Sequence, residues 1–327
     1  MCNIGMSFTV KGPSIGFANN MLFSLYLVHF ALHSLDPFSN FLCMNDKWKT
    51  LIEEYTTNNL IVVEVKAGIP TVIHIGWSFQ SRHTSTIKMI HHLYATKSRL
   101  CPQDIVFCVY SGDSSTAFKG DHPFLAYSQN PAAPNAKAIP DFVFDHWSEA
   151  RLPPFFEFYE CSKGIGGGFE NKWDTLFWIG ANTHSIREQI VGDLSEEPGC
   201  QVTMMDWSNM DSGYYTDMYT HGQYKYLLDM PGNGYSGRLK YLLLLGSVVF
   251  VVERDDTEWW WDVFQPWVHF VPVMADGSDL MGVLQVIRTN PTLARTIAAA
   301  GTKLAQLTFE HNNVYTHFAT TLNSLYD

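Results

Sequence analysis

The chain has 327 residues, of which 46% are hydrophobic and only 16% charged, a composition that builds a large core and excludes an intrinsically disordered protein. A formal net charge of -11 and the lack of any run of five or more Lys/Arg exclude a nucleic-acid-binding surface, so no nucleic-acid partner is expected. The length fits two domains of roughly 150 residues each.

From the N-terminus, residues 1–58 read as a helical extension. Within it, Leu22, Leu25, His29 and Leu32 recur at helical spacing. That segment, residues 21–35, is either a docked amphipathic helix or a weak membrane-associating one; it is shorter than the ~20 residues that span a bilayer. Leu60–Val65 and Thr71–Ile75 are β-branched runs parted by Gly68 and Pro70, hence a strand pair. Ser85–Thr96 carries Ile87, Ile90, His91 and Tyr94 on one helical face, and Asp104–Tyr110 is a buried strand closed by Ser111, Gly112 and Asp113. This strand–helix–strand rhythm predicts a parallel sheet in the first half. Asp141–Phe144 is a short strand candidate, and the Pro- and Gly-rich stretch 151–169 is the best linker.

The second half continues with strands at Thr175–Trp178, Gln201–Met205, Tyr224–Asp229 and Ser247–Val252. A helix runs through Arg187, and another opens on Ser236, Gly237 and Arg238. Asp279 and Asn290-Pro291 mark two helix starts, and Asn313–Tyr326 is a last amphipathic helix. The domains expected are residues 59–163 and 170–310, with 311–327 as a C-terminal helix. Six cysteines without a C-x-x-C pair or zinc spacing read as reduced thiols, which suits a cytoplasmic protein.

Two residues carry the chemistry. Arg238 follows Gly232, Gly234 and Gly237 at a helix start, where backbone N–H groups and a guanidinium can hold a diphosphate; the alternative is a surface arginine at a loop–helix junction. Asp113 closes an apolar strand, where a carboxylate reaches the ligand crevice and can take a proton from a hydroxyl; the alternative is a solvated turn aspartate. Asp255, Asp256 and Glu258 form an acidic patch, read as a solvated loop more readily than as a metal site. His83, His91 and His92 lack the partners a zinc site needs, and no metal or cofactor is expected.

The stretch YKYLLDMPGNGYSGRLKYLLLLGSVVFVV, followed by TEWWWDVFQPWVHFVPV, resembles the core of glycosyltransferase family 90. The family pattern there is K-Y-K-Y, a glycine turn, S-x-R-x-K-x-L, a G-S-V strand, E-F-F-Y and L-K-P-W-V-H-Y-x-P-V. Phe177–Arg187 is similar to its F-F-R-G-S-R-T-S-x-x-R segment, and Asp104–Asp113 to the strand that ends in its catalytic aspartate. The resemblance implies an α/β, GT-B architecture: two Rossmann-like domains facing a cleft, with C-terminal helices packing back toward the N-terminal domain. It implies metal-independent, inverting transfer from UDP-xylose or UDP-glucose, xylose favoured, to a hydroxyl of a glycan or glycoprotein. Asp113 is then the general base and Arg238 the diphosphate clamp. Gly234, Tyr235, Ser236 and Gly237 form the nucleotide loop, with Gly180, Asn182, Thr183 and Arg187 beside the donor and Glu258 toward the nucleoside. Ile179 and Asn182 stand where the family has arginines, which leaves open a UDP-sugar- or glycan-binding protein of weakened catalysis; a metal-dependent transferase is the other alternative. A short member without a secretory signal points to a microbe or an algal large DNA virus, whose acceptor is a capsid glycan in host cytoplasm.

Overall fold

The computed structural model describes residues 59–78, 80–118, 122–164, 168–205 and 216–325. The expectations for residues 1–58, including the 21–35 segment, lie outside the described residues. Residues 53–327 form one compact unit.

The first sheet begins with β1 (Leu60–Lys66) and β2 (Ile69–Ile75), an antiparallel hairpin. Its two turn residues, Ala67 and Gly68, both have positive φ, as a type I′ turn requires, and Gln103 and Asp104 hold their N–H groups. Helix α1 (Gln80–Lys97) then leads to β3 (Ile105–Tyr110), which pairs antiparallel with β1. β4 (Phe124–Ala126) and β5 (Ala136–Ala138) extend the sheet in parallel, giving the order β2-β1-β3-β4-β5. The expected parallel sheet is therefore only half present, because the hairpin sends β1 back against β3. The buried face of α1 runs through Thr86, Met89, Ile90, Leu93 and Tyr94, and His91 is exposed. Phe142–Phe144 is a 3-10 turn with no strand partner, its three side chains fully buried. Within the expected linker lies α2 (Phe155–Ser162), which starts after Pro154 and buries Phe155 and Phe158.

The second sheet is wholly parallel. It runs through β6 (Trp173–Ala181), α3 (Ser185–Leu194), β7 (Cys200–Met205), α4 (Met218–His221), β8 (Tyr224–Asp229), α5 (Leu239–Leu243), β9 (Val248–Val252) and β10 (Val271–Val273). The order is β10-β9-β8-β6-β7, so the chain reverses direction across the sheet between β6 and β8. A parallel sheet covered on both faces needs apolar residues on both, and β9 (VVFVV) is buried throughout. Strand alternation divides β6 between two cores. Leu176 and Trp178 face α3 and the helices α6 (Leu280–Thr289) and α7 (Pro291–Thr308). Phe177 and Ile179 join the cluster that includes Val63, Phe107 and the leucines of α5.

Pro291 occupies the first turn of α7 as expected, but neither Asp279 nor Asn290 caps with its side chain. Asp279 instead accepts from the Met274 N–H at 2.9 Å. The last helix, α8 (His311–Asn323), returns to the first half, where His311 and Tyr315 pack on His92 of α1. Among the described residues no helix is long and apolar enough to cross a membrane, and Cys101, Cys108, Cys161 and Cys200 are free.

Candidate functional site

Ligands of open parallel sheets sit beyond the strands' carboxyl ends where the strand order reverses. Here that point is the gap between Gly180-Ala181 at the end of β6 and Met230-Pro231 after β8. A pocket of about 270 Å3 opens there, lined from one side by Arg187, Arg238 and Thr183 and from the other by Arg82 and Asp113.

Asp113 lies three residues past β3. Its Oδ1 accepts from Arg82 Nη1 at 2.7 Å and its Oδ2 from Asn233 Nδ2 at 3.3 Å. A carboxylate has about four lone-pair sites, so two remain for a substrate hydroxyl. Burial alone lowers the pKa of Arg82, but attraction to Asp113 outweighs it and keeps the guanidinium charged. The strand end is fixed beneath: Ser111 donates to the Asn59 carbonyl at 2.9 Å and accepts from His83 Nε2 at 2.7 Å. Burial pushes His83 down to about 4, so it stays neutral.

The two arginines on the β6–β8 side of the pocket differ. Arg187 is almost fully buried and donates to the carbonyls of Pro231 (2.7 Å), Ala181 (2.8 Å) and Met230 (3.1 Å). Three of its five N–H groups are thus engaged in tying β6 to β8. Arg238 donates Nη1 to the Ile179 carbonyl, and its Nη2 lies so near Gly180 that a Cβ there would sit 3.1 Å away. Burial lowers the pKa of Arg187 to about 9, with Arg238 the next cause, and burial lowers Arg238 as well. Two guanidiniums whose charge is opposed by burial in one pocket favour a ligand with negative charge.

The five-residue α5 is too short to supply much helix dipole, and Arg238 caps it rather than lying inside its first turn. The expected helix-end contribution therefore falls to the arginine side chain. Ser236 donates to the fully buried Asp229 at 2.6 Å, and Tyr235 donates to Asp141 at 2.9 Å. Gly234 has another reason to be glycine: a Cβ there would stand 2.0 Å from the Asp113 carbonyl oxygen. Gly234→Ala is expected to push that backbone aside at a cost of about 1–3 kcal/mol. Lowered thermal stability together with lost activity would show it; a variant unchanged in both would remove the contact's importance.

Three expected donor contacts, Gly234, Asn182 and Glu258, lie outside the lining of this pocket. Asn182 is exposed and donates to Glu188 at 2.6 Å, outside the pocket lining. Glu258 is buried against Lys240 (2.8 Å), which also meets Asp141 at 3.2 Å. One buried cation between two buried carboxylates leaves a proton to be carried by the pair. Burial, partly offset by Lys240, raises both acids, Glu258 to about 7. A carboxyl raised in the fold is stabilising while protonated, so this contribution is complete below the ordinary value of 4.5 and is lost as pH rises to about 7. Glu258→Gln is expected to remove that decline; urea midpoints between pH 5 and 8 check it, and parallel curves for both proteins would overturn it.

His221 was not signalled by the sequence. It lines the apolar end of the pocket with Met205, Met218 and Leu152. Its Nδ1 is 2.9 Å from the Asp217 carbonyl and so carries the proton, leaving Nε2 as a buried acceptor without a partner. Burial, seconded by Arg238 and only partly opposed by Asp217, holds it down to about 4 and therefore neutral. No three His, Cys, Asp or Glu side chains converge as metal ligands among the described residues.

These features define an α/β protein with an arginine-lined pocket at the switch point of its parallel sheet. The family model "Glycosyl transferase family 90" matches residues 33–326, and the chain belongs to that family. Protein O-glucosyltransferase 1 of Rattus norvegicus is 41% identical over 145 residues, 41% of this chain and 37% of that protein. The O-glucosyltransferase rumi homolog of Aedes aegypti is 38% identical over 155 residues, 44% and 37% of the two chains. Protein O-glucosyltransferase 2 of Danio rerio is 27% identical over 162 residues, 47% and 32%. The matches thus span about a third of these relatives' own length. Among solved structures, Anabaena Alr3699/HepE in complex with UDP and glucose aligns with a TM-score of 0.38 and 11% identity, over 64% of this chain and 65% of that one.

Proposed function

We propose that the protein transfers a sugar from a UDP-sugar to a hydroxyl of a glycan or glycoprotein, with inversion and without a metal. The observation that carries this reading is the pairing across one pocket of two depressed arginines with a carboxylate held by Arg82 and Asn233. The diphosphate lies against Arg238 and the two free N–H groups of Arg187. The apolar end takes the base, where the neutral His221 Nε2 accepts a base N–H. The acceptor hydroxyl attacks the anomeric carbon from the face opposite the diphosphate as Asp113 takes its proton. The C–O bond to UDP breaks, and Arg238 stabilises the charge left on the diphosphate.

UDP-glucose and UDP-xylose are the donors proposed. The xylose preference drawn from the sequence has no counterpart in the relatives' names, which are those of glucosyltransferases. A UDP-release assay over a panel of UDP-sugars with glycan and glycoprotein acceptors, repeated in EDTA, tests the reading. Turnover unaffected by EDTA is expected; release only after Mn2+ is added back would replace the metal-free mechanism. Binding without turnover on any donor would leave a sugar-nucleotide-binding protein.

A further inference from the structure

The loop that carries Ser236 and Arg238 into the pocket is held from two sides. On its own side, Ser236 donates to Asp229 at 2.6 Å and Arg238 to the Ile179 carbonyl. From the other side comes segment 141–147, which contributes Phe142 and Trp147 to the pocket wall. Gly237 rests on it so closely that a Cβ there would stand 3.2 Å from Val143 and 3.3 Å from Trp147. One atom of that segment does more. Asp141 Oδ2 accepts from the Tyr235 hydroxyl at 2.9 Å and from Lys240 Nζ at 3.2 Å. These two donors flank Arg238 in the chain. Lys240 Nζ also donates to the Gly237 carbonyl at 3.0 Å, so the same ammonium ties the loop's backbone to Asp141.

Charge balance gives no reason for this arrangement. Lys240 and Glu258 are both buried, 2.8 Å apart, and neutralise each other without Asp141. A second carboxylate beside them, itself buried and with Oδ1 unpartnered, adds a desolvation cost that one shared ammonium offsets poorly. What Asp141 adds is geometry. It is a fixed point on the facing segment, and both flanks of Arg238 are tied to it. A guanidinium that clamps an anion through a planar fork depends on such pre-organisation, because a displacement of about 1 Å is enough to lose much of its effect.

We propose that Asp141 is a positioning residue for the diphosphate site, a post on the facing segment that fixes the loop from Tyr235 to Lys240 and so aims Arg238. The inference deepens the transferase reading and rests on the diphosphate place assigned there, but one of its probes is neither nucleotide nor sugar. The experiment is a double-mutant cycle of Asp141→Asn with Arg238→Ala, read by calorimetry with inorganic pyrophosphate and, in parallel, with UDP. Asparagine keeps an acceptor for Tyr235 and removes the surplus charge, so the variant is expected to melt no lower than the wild type at about pH 8. Loss of the ionic tie to Lys240 is expected to weaken both ligands about fivefold in the otherwise wild-type protein. In the Arg238→Ala background the same change is expected to alter affinity by less than about 1.5-fold, because a post acts through the residue that it aims. No loss in the first background, or the same loss in both, overturns the proposal. Should Asp141→Asn fail to fold, Tyr235→Phe cuts the other tie and is carried through the same cycle. Binding of pyrophosphate without UDP sinks the transferase reading and leaves the cycle standing; binding of neither by the wild type overturns both.

Discussion

Replacing Asp113 with asparagine is expected to reduce sugar transfer by at least 10²-fold and up to about 10⁴-fold, the range for loss of a general base. UDP affinity should stay within about twofold, because in the proposed arrangement Asp113 faces the acceptor and other groups hold the nucleotide. The substitution also removes the Asp113 charge that faces Arg82, whose side chain is 12% exposed. Some loss of stability therefore accompanies it, and melting temperature must be read beside activity. Transfer at the wild-type rate in a folded Asp113→Asn protein would remove this residue as the base.

The second large effect is expected at Arg238. Arg238→Ala should weaken UDP binding in calorimetry and lower the rate by about 10²–10³-fold, the usual loss for one donor to developing charge. Arg238→Lys restores charge but not the planar fork that spans the Ile179 carbonyl and the pocket, so it should recover binding only partly. Arg187 is a poorer probe of the same site. Its three carbonyl bonds tie the carboxyl ends of β6 and β8 together, so Arg187→Ala confounds phosphate binding with loss of the strand ends. Unchanged UDP affinity in Arg238→Ala would count against the clamp.

What was legible in the sequence was mostly local. A β-branched run ending in Ser111, Gly112 and Asp113 reveals a strand and its terminal acid without knowledge of the rest. The glycine turn before Arg238 is equally plain, as are the parallel strands of the second half. The misplacements come from contacts that sequence spacing does not display. Asn182 turns away from the pocket because Glu188, in the first turn of α3, offers an acceptor. Lys240 sits amid Leu239 and Tyr241 in a short helix, and its burial follows from Asp141, 99 residues earlier. That distant partner makes Glu258 part of a buried charge triad. His221 looks like any helix-end histidine until Phe177 stacks edge-on against it and the pocket closes over it. The 3-10 turn at Phe142–Phe144 reads as a strand because both put large apolar groups indoors.

The two backbone hydrogen bonds between Gln129 and Thr257, backed by Ser128 and Asp256, join the segment after β4 to the loop after β9. They act as a stitch across the molecule. A hinge that swung the two sheets apart would have to tear this stitch and lift Gly234 off the Asp113 backbone. Rigid-body gaping is thereby disfavoured at that corner, and substrate exchange is left to rearrangement of loops and side chains on a fixed frame. Turnover should accordingly be insensitive to a cross-link placed at residues 129 and 257.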